Sequence, residues 1–327
     1  MRDIRVAAAQ FEHRDDDKAY NLSRIEVLTK QAADQGAEIV SFHECCISGY
    51  TFLQSLGAAE LLEIAEQVPE GPSTLTLIEI AKTYNVIIMA GLVESVTQSE
   101  TAGQVSKETF FNTYITVSPD GFISKFSKLH AFINPHVSSG NSYSVTPLLD
   151  GALQAGCLIC YDNNLPENVR MTTMLGAEVI FMPHVTGCLP SVMPGRGSVS
   201  PELWHNRERD PARLRKEFDG PKGRQWLFRW LPCRAYENGV YAVYTNPIGV
   251  DGDTIKPGGS MILDPFGEVI AECRSLGDEV VVALCTADKL EQASGKRYIR
   301  ARRPALYGEL AKPLPEGHAP ITEPGWR

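Results

Sequence analysis

The stretch ALQAGCLICYDNNLPENVRMTTMLGAEVIFMP, residues 152–183, decides how this chain is organised. Its opening run ALQAGCLIC (152–160) is apolar almost throughout, the pattern of a buried strand. A polar turn follows, then PENVRMTTMLG (166–176), which proline opens and glycine closes as a helix. AEVIFMP (177–183) is a further buried strand. Strand–helix–strand alternation of this kind builds a sheet covered by helices. Cys160 stands where the first strand gives way to the turn, so it is either core filler or a thiol presented at a strand end.

The same alternation runs outward in both directions. IRVAAAQF (4–11) reads as a strand, a helical pattern covers about Tyr20 to Gln35, and AEIVSF (37–42) is the next strand. Helical patterns around 58–67 and 73–84 lead into the strand VIIMAGLVE (86–94). FFNTYITVSPDGFISKFSK (110–128) reads as two strands joined at Pro119-Asp120-Gly121. Towards the C-terminus VYAVYTN, GGSMILDP, GEVIAECR and EVVVALC suit antiparallel pairing. No linker composition interrupts the chain. It reads as one domain over 1–327, with a loop or lid insertion at about 185–222 and an extended tail at about 304–327.

The 327 residues are 43% hydrophobic and 22% charged, the balance of a soluble globular enzyme. A formal charge of -9 argues against a nucleic-acid partner. The opening MRDIRVAAAQ has too short an apolar run for a signal peptide or membrane span. Eight cysteines without framework spacing fit a reduced, cytoplasmic location. Cys157-x-x-Cys160 falls inside one strand pattern rather than at a helix N-terminus, which argues against a redox pair. No His, Cys or Asp cluster has metal-ligand spacing in sequence, so no metal site is expected.

Three polar residues mark three strand ends. Glu44 follows EIVSFH, Lys128 follows ISKFS, and Cys160 follows GCLI. Alone, each has a bland reading as a solvated end, a surface charge or a small core residue. Together they supply a thiol nucleophile, a carboxylate to move protons and a cation for a developing oxyanion.

Their flanking motifs sharpen this. SFHECCISGY (41–50), KLHAF (128–132) and GCLICYDNNLPENVR (156–170) occur in that order. They resemble the Glu, Lys and Cys motifs of the nitrilase superfamily of carbon–nitrogen hydrolases, with His43 where proline is common. AAAQF, RAYENGVYAVYTN (234–246) and GGSMILDPFGEVIAE resemble further family blocks. The resemblance spans roughly residues 4 to 285. It implies a four-layer αββα sandwich, Glu44 as general base, Lys128 as oxyanion stabiliser and Cys160 as nucleophile. It also implies the backbone N–H of Tyr161 as second oxyanion donor, no cofactor, and a homodimer.

The chain departs from the family pattern in one place. Many relatives carry a second glutamate soon after the Lys motif, but no acidic residue occurs between Lys128 and Leu149. Asn134 and His136 are the nearby polar candidates, and Glu237 could reach the site from another segment. His184, Val185 and Thr186, after the strand AEVIFMP, are candidates for contact with substrate. Arg196, Arg207, Arg209, Arg213, Arg215 and Arg224 crowd one region. A guanidinium there could receive a substrate carboxylate, although RERDPARLRKEFD also alternates signs as a solvated helix does. Cys160-Tyr161-Asp162 resembles the amidase and carbamoylase branches. The expected substrate is therefore a small linear amide or N-carbamoyl compound. A nitrile is the alternative, and a catalytically silent binding subunit the second.

Overall fold

The computed structural model describes residues 1–98 and 107–313. Of the tail expected to be extended, residues 304–313 instead contain two short 3₁₀ turns, Pro304–Leu306 and Gly308–Ala311, and the part from residue 314 onward lies outside the described residues. Strands β1 (Ile4–Gln10), β2 (Ile39–Ser41), β3 (Ile87–Gln98), β4 (Lys107–Ser118) and β5 (Gly121–Ser127) lie side by side in that order. The short β6 (Val137–Ser138) pairs with β4. A second sheet contains β7 (Val145–Leu148), β8 (Leu153–Cys157), β9 (Val179–Pro183) and β10 (Tyr241–Thr245). A separate hairpin, β11 (Ile248–Asp251) and β12 (Thr254–Pro257), follows. Strands β13 (Met261–Leu263) and β14 (Val269–Glu272) extend the second sheet, and β15 (Glu279–Cys285) returns to the first beside β1.

The period-two alternation of side chains separates the layers. In β1, Ile4, Val6 and Ala8 join the core shared with the second sheet, while Ala7 and Ala9 face outward. Ile87 and Met89 of β3 likewise point in, and Ile88 and Ala90 point out. The outer residues pack against α1 (Lys18–Asp34) and, beyond the short α2 (Ala58–Ile64), against α3 (Pro72–Tyr84). Ile25, Leu28 and Ala32 of α1 and Leu77, Ile80 and Ala81 of α3 close that face. On the other side α4 (Pro166–Met174) lies against β8. The helices α5 (Pro201–His205), α6 (Pro211–Asp219), α7 (Arg224–Leu227) and α8 (Leu231–Asn238) follow, α8 against β10. The chain then forms α9 (Ala287–Gln292) and α10 (Ser294–Arg300), with α10 beside α8. The result is the expected αββα sandwich.

Two expectations need correction. The strand around Cys160 stops at Cys157: the Leu158 N–H still bonds Phe181 O at 3.1 Å, but Cys160 already opens a 3₁₀ turn to Asn164. The 185–222 segment is not loop throughout, because it contains α5 and α6. Both start from a proline behind a capping side chain, Ser200 or Asp210. No helix among the described residues is long and apolar enough to cross a membrane.

The ends of the two sheets are tied together beneath the site. Thr245 Oγ1 at the end of β10 donates to Phe42 O at 2.7 Å, and the buried Tyr114 hydroxyl donates to the same carbonyl at 2.6 Å. Beside them β3 runs so close to the Glu44 turn that a Cβ on Gly91 would lie 2.4 Å from Cys45 N. Backbone cannot yield there as a flexible side chain would. Gly91→Ala should therefore lower stability by about 1–3 kcal/mol. It should also displace the Glu44 turn; denaturant unfolding would check the loss of stability.

Candidate active site

Glu44, Lys128 and Cys160 leave three different strand ends and meet at one place. Glu44 lies just beyond β2 and Lys128 immediately after β5. Both are fully buried, with Lys128 Nζ 2.6 Å from Glu44 Oε1. The same oxygen accepts from Asn112 Nδ2 at 2.7 Å, whereas Glu44 Oε2 has no protein hydrogen-bond partner. Asn112, a polar residue inside the buried strand β4, was not singled out in the sequence. Its position amid FFNTYITV was the available signal.

Lys128 also lies 3.4 Å from the Tyr50 hydroxyl, and its ammonium sits over the rings of Phe132 and Tyr50 at 5.0 and 5.4 Å. Burial pulls this ammonium toward the neutral form. Glu44, Tyr50, Cys160 and Asp162 together outweigh it, Glu44 most among them, and hold the pKa well above its ordinary value. Lys128 is therefore a cation in a dry site.

Cys160 has φ +51°, in the left-handed region that a side chain adopts at a cost of roughly 1–2 kcal/mol. That conformation turns the thiol out of the strand line. Burial pushes the thiol up to about 12; Glu44 adds to the shift, and Lys128 and the backbone of Val185 oppose it. At neutral pH the resting group is the thiol. Tyr161 follows in the first turn of the 3₁₀ segment, where backbone N–H groups lack an intrahelical acceptor.

Asp162 organises the neighbourhood rather than facing the cavity. Its carboxylate accepts from the N–H of Leu129 at 3.1 Å, His130 at 3.0 Å and Ile159 at 3.2 Å. His130 Nδ1 lies 2.8 Å from the same group. One buried carboxylate thus clamps the Lys128 loop to the Cys160 turn. In the sequence alone, Asp162 stands out only as part of Cys160-Tyr161-Asp162.

A cavity of about 250 Å³ opens over Cys160, lined among others by Tyr50, Phe132, Tyr161, His184, Thr186 and Arg196. His184 and Thr186, the candidates for contact with substrate, thus both line the cavity. His184 stacks near Tyr244 and Trp230, with ring centroids 4.9 and 5.6 Å away. Burial and the Lys128 charge hold its pKa well below the ordinary value, so it is neutral. Asn163 Nδ2, which also donates to Leu158 O, lies 3.2 Å from His184 Nε2. The His184 proton therefore sits on Nδ1, which has no protein partner.

Asn134, His136 and Glu237 do not border this cavity. Asn134 Nδ2 is committed to Leu53 O and Leu56 O, at 2.7 and 2.8 Å, and Asn134 Oδ1 accepts from His136 N. Glu237 pairs with Arg234 of its own helix at 3.3 Å. None of them takes the place of the missing second glutamate; the Tyr50 hydroxyl and two aromatic faces surround Lys128 instead.

His43, at the position where proline is common, begins a buried chain. Its Nε2 lies 3.0 Å from His13 Nδ1, and His13 Nε2 lies 3.2 Å from Asp251 Oδ1. Asp251 also accepts from Thr51 Oγ1 at 2.5 Å and faces Lys256 at 3.4 Å. Burial favours a neutral Asp251, but Lys256, His13 and Thr51 overcome it and keep its pKa below the usual carboxylate range. Donors and acceptors then run in one direction, from His43 Nε2–H to His13 and from His13 Nε2–H to Asp251. His13, Asp15 and Asp251 bring ligand atoms within 4.8 Å of one another, a grouping invisible in sequence. Asp251 is already engaged by a hydroxyl, an imidazole and an ammonium, and the adjacent Lys256 charge disfavours a metal ion there.

Residues 5–294 match the family model described as carbon-nitrogen hydrolase, and the chain belongs to that family. It is an enzyme of that class. An (R)-stereoselective amidase from a Pseudomonas species is 30% identical over 94% of both chains. A nitrilase from Pyrococcus abyssi is 29% identical, covering 86% of this chain and 88% of its own. Among solved structures, an amidase from Nesterenkonia sp. AN1 superposes with a TM-score of 0.64 at 21% identity. That match covers 94% of this chain and 96% of the other, and supports the sandwich fold. In that amidase, a mutant, the acetamide moiety of fluoroacetamide is covalently added at the active site cysteine.

Asp162→Asn should weaken the clamp, lowering stability by about 1–3 kcal/mol and reducing kcat through a misplaced Lys128. Urea unfolding and initial rates on the same preparation would show whether the two effects travel together. A second outcome concerns alkali. Burial pushes Cys46, Cys160, Cys188 and Cys285 up to about 12, against about 8.5 for a thiol in the unfolded chain. Their contribution to stability is complete below the unfolded value and is lost as pH rises toward the folded one. The urea midpoint should fall above about pH 8.5, at up to about 1.4 kcal/mol per pH unit for each thiol.

Proposed function

We propose that the chain hydrolyses the C–N bond of a small linear amide or N-carbamoyl compound through an acyl thioester on Cys160. One observation carries this reading. A buried carboxylate, anchored through one oxygen by Lys128 and Asn112, keeps its other oxygen unpartnered beside a protonated thiol. With the thiol at a pKa of about 12, nucleophilic attack requires a base as the C–S bond forms. Glu44 takes the proton and returns it to the leaving nitrogen. The Lys128 ammonium and the Tyr161 N–H face the developing oxyanion. After ammonia or amine departs, Glu44 draws a proton from water as it attacks the thioester; the C–S bond then breaks to free the acid, and Glu44 returns the proton to the Cys160 sulfur. Nothing in this sequence of steps calls on a metal or organic cofactor.

The nitrile alternative draws on the Pyrococcus relative's name, and matched nitriles and amides would separate it by relative rate. A silent binding subunit is disfavoured by the assembled triad. We read the whole as one domain, with segment 185–222 contributing the Arg196 wall of the cavity. Apolar side chains Met171, Met174 and Leu175 at α4, Tyr236 of α8 and Tyr298 of α10 are exposed on elements that contact one another in sequence α4–α8–α10. They support pairing of two copies there. All eight cysteines are unpaired and seven are buried, which fits a reducing, cytoplasmic location.

Cys160→Ala should abolish ammonia release from an amide by at least about 10³-fold while the protein stays folded. Intact-mass analysis of the unmodified enzyme during turnover should show an acyl adduct confined to Cys160. Turnover surviving in the alanine variant would sink the proposal.

A further inference from the structure

Of the six arginines between Arg196 and Arg224 noted in the sequence, only Arg196 borders the cavity above Cys160. The structure accounts for its neighbours. Arg224 forms a two-pronged pair with Glu272 at 2.7 and 3.0 Å, and Arg215 donates to the carbonyls of Arg274 and Ser275. Arg207 lies over Trp204 and donates to its carbonyl at 3.1 Å. Arg209 and Arg213 are exposed or at the protein surface.

Arg196 differs. Its guanidinium carbon lies over another cavity wall, 3.9 Å from the Trp226 ring centroid, and its Nε is buried with no hydrogen-bond partner. No carboxylate among the described residues pairs with it, and Arg229 adds positive charge nearby. Asp253 lines the cavity too, but is exposed and makes no ion pair with Arg196. Lys256, the other cation of this wall, is already compensated by Asp251 at 3.4 Å. A partly desolvated guanidinium held rigidly by an aromatic face, with its fork uncompensated, is a site for a planar anion.

We propose that Arg196, stacked on Trp226, receives a carboxylate at the far end of the substrate while the reacting carbonyl lies at Cys160. The preferred substrates are then short half-amides of dicarboxylic acids, or N-carbamoyl acids of similar length. A cavity of about 250 Å³ limits them to small compounds. This inference rests on the amide-hydrolase reading above.

Binding and turnover test the two separately. In a Cys160→Ala background, calorimetry would compare succinic and glutaric monoamides with the corresponding neutral diamides. The monoamide acids should bind roughly 10- to 100-fold tighter, as a charge-assisted bidentate contact provides. Arg196→Gln in that background should erase the preference, and Arg196→Lys should keep part of it. In the active enzyme, Arg196→Gln should lower the acid-over-neutral ratio of kcat/KM by a similar factor, mainly through KM. Equal affinity for acid and diamide, including no measurable binding of either, overturns the proposal, as does a preference that survives Arg196→Gln. Failure of the amidase reading shows differently: no acyl adduct at Cys160 with any amide, whatever the binding preference.

Discussion

The buried contact between Lys128 and Glu44 is the constraint on which the rest of the site depends. Two opposite charges taken out of water are expensive to bury, and removing either one alone would cost about 3–5 kcal/mol by leaving its partner uncompensated. The fold therefore has to deliver both, at 2.6 Å, from strands that are distant in sequence. It does so by ending β2 and β5 at the same edge of one sheet, with Asn112 of the intervening β4 steadying the carboxylate. The second sheet ends its strand β8 opposite them and contributes Cys160. The sandwich thus brings the thiol of one layer to an ion pair held by the other.

The pair also determines what the thiol can do. A cation alone would draw the sulfur toward thiolate, whereas here its charge is largely taken up by Glu44, and burial keeps the proton on sulfur. Chemistry is thereby tied to the presence of an electrophile and a proton acceptor together. Second-layer groups serve the same geometry. Asp162 ties the lysine loop to the cysteine turn, and the His43–His13–Asp251 chain holds the segment from which Glu44 projects.

Much of this was legible in the chain itself because strand ends with strong flanking motifs are local features. Glu44, Lys128 and Cys160 could each be placed at a strand terminus from the apolar runs before them, and their order matched a known family. What could not be read are contacts between residues far apart in sequence. Asn112 looks like any polar interruption of a strand until β4 is laid beside β5. Asp251 looks like a turn residue until His13 and Thr51 arrive around it. The arginines after residue 196 were indistinguishable in sequence, since helical spacing and loop position say nothing about which guanidinium meets a carboxylate. Asn134 and Glu237 are attractive as polar residues near the motifs, yet the distant carbonyls of Leu53 and Leu56 claim the first and Arg234 of its own helix the second.

The strained, protonated state of Cys160 has a bearing on how the protein withstands an oxidising environment. Peroxide and most general electrophiles consume thiolates, so a sulfur that keeps its proton under burial is a poor target for them. Six further cysteines are equally enclosed, and Cys233 is the exposed one. Thiol oxidation would begin at Cys233, well before Cys160 is touched. On the proposed mechanism, a reagent meant to label Cys160 must instead resemble a substrate, entering the cavity and letting Glu44 remove the proton as the new bond forms.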